Sequence, residues 1–517
     1  MLSISHHFSI ELMENNKRIL SNTLFLYIRM LFVLVVSLYT SRVVLKTLGV
    51  EDYGVYSVVG GFVSMFGFLN ASISSCIQRF YNYEFGKTGE RGFQRVFSMS
   101  CYIELILSVI VLVFLEIIGL WYINHKMVIP DNRVVAANIL FQLSTLQMIL
   151  VMLQAPFSGA ILAKEKMDYY AVVGIIDVAL KLLIVLLLPC LSHDKLITFG
   201  VLMTSISVID LLLYMGYSLH SFDEMKLRKE WDSVLFKEML SFSGWNVFGA
   251  VAMVGRTQGL NMILNVFFGP LVNAARGIAV QIQGALMGFI GNISIAARPQ
   301  IVEAYAQENY ERSQKLMFSI SKVSFLLLFV MALPVGLNID YILHIWLGET
   351  VPDYTAVFTI LLLLSSLIDV LNTPVTILIM ASGEVKRYCL FTSFGGLLVM
   401  PISYLFLCLE WPPESVFVAG VIVSILVQAI SLVELKRITG IPIALYFRKV
   451  AFPLFVVVLV CVVPMRLLSL KLGGSFESFF ITAVCSVSLV VLVTIIFALS
   501  KEEKALLKAS INKLRLL

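Results

Sequence analysis

Fourteen apolar blocks, each about 20 to 29 residues long, run almost without pause through this chain. They occupy 21–45, 54–79, 96–122, 134–162, 169–191, 196–219, 242–268, 271–296, 316–337, 354–380, 386–409, 415–434, 447–469 and 477–499. About 20 apolar residues at roughly 1.5 Å each cross the roughly 30 Å of bilayer hydrocarbon. The breaks between blocks are too short for a separate soluble domain. The sequence therefore predicts an all-α polytopic membrane protein. Composition agrees: 59% of residues are hydrophobic and 14% charged, against about 45–50% and about 25% in soluble chains. A soluble enzyme, a disordered chain and a soluble domain on one anchor helix are excluded.

Orientation follows from the basic residues between blocks. With the N-terminus inside, inner segments carry 27 of the 38 Lys and Arg, outer segments carry 8, and three (Arg29, Lys181, Arg256) lie within spans. That asymmetry predicts that both termini are cytoplasmic, which requires an even number of spans. Trp121, Trp346 and Trp411 fall at outer span ends and Trp245 at an inner one, as interface anchors should. No signal peptide is read in 1–19, and Met13 is an alternative start.

The largest polar break, 220–241, divides the chain. Leu227, Trp231, Val234 and Leu235 fall on one helical face there, which predicts an amphipathic helix on the cytoplasmic surface. The expected organisation is a cytoplasmic tail (1–20), an N-lobe of six spans (21–219), the linker helix (220–241), a C-lobe of six spans (242–434), two accessory spans (435–499) and a basic cytoplasmic tail (500–517). The halves look alike. Asn70-Ala-Ser-Ile and Asn292-Ile-Ser-Ile follow Gly-rich spans 222 residues apart, and the charged loops opened by Arg79 and Arg298 are 219 apart. Six spans per half start both lobes on the same face, so the repeat is parallel, with its pseudo-two-fold along the membrane normal.

Two lobes meeting at the bilayer midplane form the architecture of an alternating-access transporter, with substrate between them. Charges inside spans are costly and by default face protein or water. Asp177 and Lys181 are four residues apart and are expected to pair. Arg276 and Glu116 lie near span ends and can snorkel. Glu104 and Asp210 are single carboxylates, equally suited to packing contacts or proton carriage. Arg256, in Gly-Arg-Thr-Gln-Gly, has no acidic residue three or four positions away, and Arg29 holds the matching place in the first span. A guanidinium suits bidentate binding of phosphate oxygens. The candidate cavity residues are Arg29, Arg256, Arg276, Lys181 and Asn273. Asp177, Asp210 and Asp369 are candidate ion-coupling carboxylates, with Asp369 also the obvious salt-bridge partner for Arg256. No catalytic residue or metal ligand is expected: the seven cysteines sit singly and the six histidines form no zinc motif. No cofactor is expected beyond coupling to H+ or Na+, and a net charge of +5 calls for no nucleic acid.

Gly269-Pro270 followed by Asn273-Ala-Ala-Arg276-Gly-Ile-Ala resembles the start of the eighth helix in bacterial polysaccharide exporters. Arg42-Val-Val-Leu-Lys-Thr-Leu-Gly-Val-Glu-Asp-Tyr-Gly after the first helix and Arg298-Pro-Gln-Ile after the eighth are similar to the same family. Over roughly 20–500 the chain resembles the O-antigen and capsule flippase-like branch of the multidrug/oligosaccharidyl-lipid/polysaccharide (MOP) exporters. The resemblance implies translocation of a polyprenyl-pyrophosphate-linked oligosaccharide, such as an O-antigen, lipopolysaccharide or capsule repeat unit, from the inner to the outer leaflet. It implies basic cavity residues on the pyrophosphate, a role Arg29 and Arg256 match by span and chemistry. Implied partners are the lipid-linked substrate, membrane lipids and other polysaccharide-assembly proteins.

Three other readings stay open. A multidrug antiporter would favour cavity carboxylates for a cationic substrate, and a lipid II exporter stays within the superfamily. A membrane glycosyltransferase or polymerase would need a long external loop. Glu51-Asp52 invites the comparison, but every outer loop is short, so that pair is expected to be a solvated turn and the chain not an enzyme.

Overall fold

Helix breaks set this architecture, and each has a local cause. The computed structural model describes residues 35–164, 166–191, 193–227, 231–472, 476–499 and 503–504. Among them the regular structure is helical. Helical residues 35–64 (α1) contain Gly49 at φ +82. A right-handed helix cannot hold that angle and a side-chain-bearing residue resists it, so two limbs run back from a corner there. Gly269, at φ +73, makes the matching corner between α8 (Ser233–Phe268) and α9 (Pro270–Ala306). Pro270 sits at the first helical position, where its missing N–H costs nothing.

In the N-half, α1 is followed by α2 (Gly67–Thr88), α3 (Glu90–Phe114), α4 (Leu120–His125), α5 (Val134–Ala163), α6 (Met167–Leu187) and α7 (Lys195–Ser221). A π-helical turn at Leu115–Gly119 joins α3 to α4. In the C-half, α8 and α9 are followed by α10 (Tyr310–Leu337), a short α11 (Ile339–Leu347), α12 (Thr355–Ser382), α13 (Val385–Leu397), α14 (Val399–Cys408) and α15 (Glu414–Thr439). The chain continues through α16 (Ile443–Tyr446), α17 (Phe452–Leu472) and α18 (Phe476–Val493).

The repeat is visible in the helix starts. Tyr310 follows Glu90 by 220 residues, Thr355 follows Val134 by 221, Val385 follows Met167 by 218, and Glu414 follows Lys195 by 219. The glycine corners, 49 and 269, are 220 apart. The sequence offsets of 219 and 222 therefore measured a real structural repeat. Helices α17 and α18 pack against α10.

Ten helical stretches are long and apolar enough to cross a membrane, and they coincide with ten of the predicted spans. The other four predictions, 21–45, 54–79, 242–268 and 271–296, fall on α1, α2, α8 and α9, with the first part of 21–45 outside the described residues. Of these, α1, α8 and α9 carry polar residues of the central cavity. The protein is a multi-pass membrane protein.

The linker corrects the sequence reading. No amphipathic helix spans 220–241. α7 runs on to Ser221, residues 222–227 are irregular, and α8 begins at Ser233. The cause is Asp232, whose side chain accepts from the Val234 and Leu235 N–H groups and so starts a new helix. Leu227, Trp231 and Val234 are exposed, whereas Leu235 is buried against the N-lobe. The linker is held down by Gln94 Nε2 donating to the Lys226 carbonyl (3.0 Å), by Lys164 on Glu224 (2.9 Å), and by an Arg95–Asp232 ion pair.

Candidate functional site

A cavity of about 640 Å³ lies between the lobes. Each contributing segment presents residues three or four apart, one face of a helix. Limb 35–48 of α1 gives Ser37, Thr40, Ser41 and Val44, and its second limb gives Tyr53, Ser57, Gly60, Gly61 and Ser64. From α5 come Ser144, Gln147, Met148 and Val151; from α6, Lys181; from α7, Phe199 and Met203. The C-lobe supplies Gln258 and Asn261 on α8, and Arg276, Gly277, Val280 and Gln281 on α9.

Hydrogen bonds across the lobes fix this arrangement. Gln281 Nε2 donates to Ser41 Oγ (2.5 Å) and Ser37 Oγ (3.1 Å). Asn261 Nδ2 donates to the Ser57 carbonyl (3.2 Å); within the C-lobe, Asn273 Nδ2 donates to the Asn261 carbonyl (2.7 Å) and Oδ1 (2.8 Å) and so braces it. The lobes also lock at one end of the cavity. There Asn265 accepts from the Val128 N–H (2.9 Å) and donates to its carbonyl (3.3 Å), while Trp346 Nε1 donates to the Leu38 carbonyl (2.7 Å). Gly54 is needed at this closure, because a Cβ on it would stand 2.0 Å from the Pro270 carbonyl oxygen.

Among the described residues two cations line the cavity and no carboxylate does. Arg276 is 8% exposed. Its Nη2 donates to the Thr257 carbonyl (2.5 Å), while its Nε is buried with no hydrogen-bond partner. It forms no ion pair among the described residues. A guanidinium so placed is short of acceptors, and an anion in the cavity would supply them. Lys181 differs: its Nζ lies 2.8 Å from Asp177, the pairing expected from the sequence.

The other candidates sort differently. Arg276, read from the sequence both as a cavity candidate and as a residue able to snorkel, lines the cavity. Arg256 is not among the cavity-lining residues. Its Nη2 reaches Asp369 (3.4 Å) on α12 and Ser424 Oγ (2.6 Å) on α15, so it ties three C-lobe helices together. Its carboxylate partner comes from 113 residues away, which is why a search at three and four positions found none. Asp369 is thereby the ion-pair partner of Arg256, as the sequence suggested. Arg29 lies outside the described residues. Asn273 is fully buried behind the cavity wall. Asp210 has a buried Oδ1 without a partner. Asp52 is no free turn residue: Arg133 binds it, Nε to Oδ1 at 2.6 Å, and also binds Asp194.

Sequence reasoning missed Ser37, Ser41, Tyr53, Ser57, Gln258, Asn261 and Gln281 as cavity residues. Their signal was present as hydroxyl and amide side chains spaced by three or four within apolar blocks. The charged residues drew attention away from it.

No protein-family model matches the chain. Among known proteins, an uncharacterized membrane protein, EpsK of Bacillus subtilis (strain 168), is 20% identical over 317 residues, or 61% of this chain. The match spans 62% of EpsK's own length. Among solved structures, the lipid II flippase MurJ in an inward closed conformation superposes with a TM-score of 0.73 at 14% identity, covering 92% of this chain and 98% of MurJ. An inward-facing multidrug resistance MATE family transporter of the MOP superfamily gives 0.66 at 13% identity, covering 78% of this chain and 96% of that one. The corner-and-lobe architecture built around this cavity is thus the fold of the MurJ and MATE transporters.

Proposed function

We propose that the chain is a flippase that moves a polyprenyl-pyrophosphate-linked oligosaccharide, an O-antigen, capsule or exopolysaccharide repeat unit, across the bacterial inner membrane by alternating access. The observation that carries this reading is the charge of the cavity: among the described residues Arg276 and Lys181 line it, no carboxylate does, and Arg276 Nε lacks an acceptor. Pyrophosphate oxygens match that need, and hydroxyl and amide side chains around them suit a sugar. The MurJ-like fold supports a lipid-linked cargo. The excess of basic residues on one side supports cytoplasmic termini. The reading needs no catalytic residue; its partners are the lipid-linked substrate, the surrounding lipids and other membrane proteins of polysaccharide assembly.

Arg276→Ala should abolish surface glycan in cells that carry the variant at normal membrane level. Arg276→Lys should restore part, since an ammonium keeps the charge and loses the planar fork. Full export by a well-inserted Arg276→Ala protein would remove the anion-binding role. A MATE-like antiporter of cationic drugs is the second reading, favoured by Asp177 beside Lys181 and by the partnerless Asp210 oxygen. Drug efflux that survives Arg276→Ala and is lost in Asp210→Asn would select it.

A further inference from the structure

A second crevice, of about 640 Å³, opens on the N-lobe and has few lining residues in common with any other feature; none of them lines the cavity between the lobes. Helix α5 is the partition. Its Ser144, Gln147, Met148 and Val151 line the cavity, and its Asn138, Gln142, Thr145 and Ile149 line the crevice. Leu112 of α3 and Leu120 of α4 form the other wall. Around it Leu112, Ile117, Ile139 and Leu146 are exposed, so the crevice opens to lipid.

Polar groups run down its length. Asn124 and Asn138 exchange side-chain hydrogen bonds at the mouth (3.1 and 2.9 Å). Gln142 Nε2 donates to Glu116 (3.1 Å), a half-buried carboxylate that forms no ion pair among the described residues. Arg133, just before α5, is bound to Asp52 and Asp194 instead. One turn further along α5, Thr145 is 1% exposed, and its hydroxyl is buried without a hydrogen-bond partner. Glu116 sits in the π-helical turn Leu115–Gly119, an irregularity frequent at functional sites.

Depth identifies the occupant. The helical stretch Glu90–His125 is about 54 Å long at helical rise, against roughly 30 Å of hydrocarbon. Glu116 lies roughly 13 Å past its midpoint, close to where hydrocarbon gives way to head groups. Trp121, exposed one turn beyond, suits the same level. A carboxylate without a cation at head-group depth calls for one, and a primary ammonium brings N–H donors with its charge. We propose that the crevice is the seat of one resident phospholipid with a primary-ammonium head group, in the leaflet away from the 222–232 linker, which braces α5 behind the cavity. The ammonium binds Glu116, and the second amide hydrogen of Gln142 serves the phosphate. The ester carbonyls come level with the Thr145 hydroxyl, and an acyl chain runs past Leu146 and Ile149. The inference needs only that the chain spans a membrane, and not the cargo proposed above.

The test is lipid retention by the detergent-purified full chain, read by native mass spectrometry with phosphatidylethanolamine, phosphatidylglycerol or phosphatidylcholine added. Wild type should hold one phosphatidylethanolamine about tenfold more tightly than either of the others, the worth of a hydrogen bond to a charged group. Phosphatidylcholine separates the two parts of the claim, since its quaternary ammonium has charge and no N–H. Glu116→Gln should erase the preference. Leu146→Trp, which fills the crevice and keeps its polar groups, should lose the bound lipid; if Glu116→Gln does not insert, this variant and the wild-type comparison decide. Equal retention of the three lipids would overturn the proposal, as would a preference that survives Leu146→Trp. Arg276→Ala should retain the lipid like wild type, and loss there would place the lipid in the cavity and overturn the seat. A dimer of the chain that dissociates in Leu146→Trp would give the crevice to a second copy instead. Absence of glycan export by wild type would sink the cargo reading and leave the retention result standing.

Discussion

The two lobes share a helix plan and handle their buried charge in opposite ways. In the C-lobe, Arg256, Asp369 and Ser424 come from three helices and close on one another. In the N-lobe, Lys181 and Asp177 pair within one helix, so their bond joins nothing across the bundle. Both oxygens of Glu104 and one of Asp210 are buried without a hydrogen-bond partner, although Asp210 also lies beside Asp177 and Lys181. Counted as ionised, the Arg256–Asp369 pair is neutral, whereas Asp177, Lys181, Asp210 and Glu104 together are acidic; Arg276 at the cavity is the C-lobe's exception, a buried cation without an ion pair among the described residues. A cross-helix pair resists rearrangement, because opening it strands a charge in low dielectric. Unpaired carboxylates can instead change charge without breaking a contact. The C-lobe is built as the stiff half and the N-lobe as the half that can titrate.

The hardest test of that contrast is to remove the C-lobe tie. Arg256→Ala should cost about 1–3 kcal/mol of stability, the range for stranding a partly buried carboxylate and its hydrogen-bonded neighbours. Asp369→Asn in the same chain should recover a large part of it. A double-mutant cycle on melting temperature measures the coupling directly. Additive losses would mean that the two side chains do not act together, and the lobes would no longer differ in this way.

The matching change in the N-lobe should be mild. The Asp177–Lys181 pair is four residues apart on one helix, and Lys181 is 39% exposed. Such pairs contribute about 0.3–0.5 kcal/mol. Asp177→Asn should therefore leave the melting temperature almost unmoved while freeing Lys181 in the cavity. Membrane protein level and melting, compared side by side with Asp369→Asn, rank the two. A larger loss in Asp177→Asn than in Asp369→Asn would reverse the assignment of stiff and titratable halves.

What the sequence made legible follows from range. Span positions and the repeat depend on local apolarity and on length, and ten of the spans and the 220-residue offset appear where the pattern puts them. The Asp177–Lys181 pair is local too. The Arg256–Asp369 bond was foreseen only as an alternative, because the helices that bring the two together are set by packing. Arg276 could be named both as a cavity candidate and as a residue able to snorkel, because distance from a span end says nothing about whether that end faces lipid or the partner lobe. The linker was misjudged because apolar spacing across 227–235 ignored Asp232, whose capping chemistry starts a helix in the middle of the pattern.

The smallest effect concerns that residue, which joins the two halves. Asp232 caps the first C-lobe helix and is bound by Arg95 of the N-lobe. The Arg95 guanidinium, with the Leu235 and Val234 N–H groups, holds its carboxyl below the ordinary aspartate range. A depressed carboxyl adds stability that is complete above its unfolded value, about 3.9, and is lost as pH falls through the lower folded value. The linker should thus stay docked from pH 7 down to about 4 and release only below that. Trp231 is a built-in reporter, since its ring lies 4.7 Å from Phe236 and 5.8 Å from Tyr102 by centroid. The fluorescence difference between wild type and Trp231→Phe should be flat over the upper range and change below about pH 4. Asp232→Asn keeps a capping oxygen but loses the charge, so it should show the acid signal in part at neutral pH. A signal unchanged by either treatment would mean that Leu235 and its apolar neighbours dock the linker alone, and that the two lobes are joined by packing rather than by this charge.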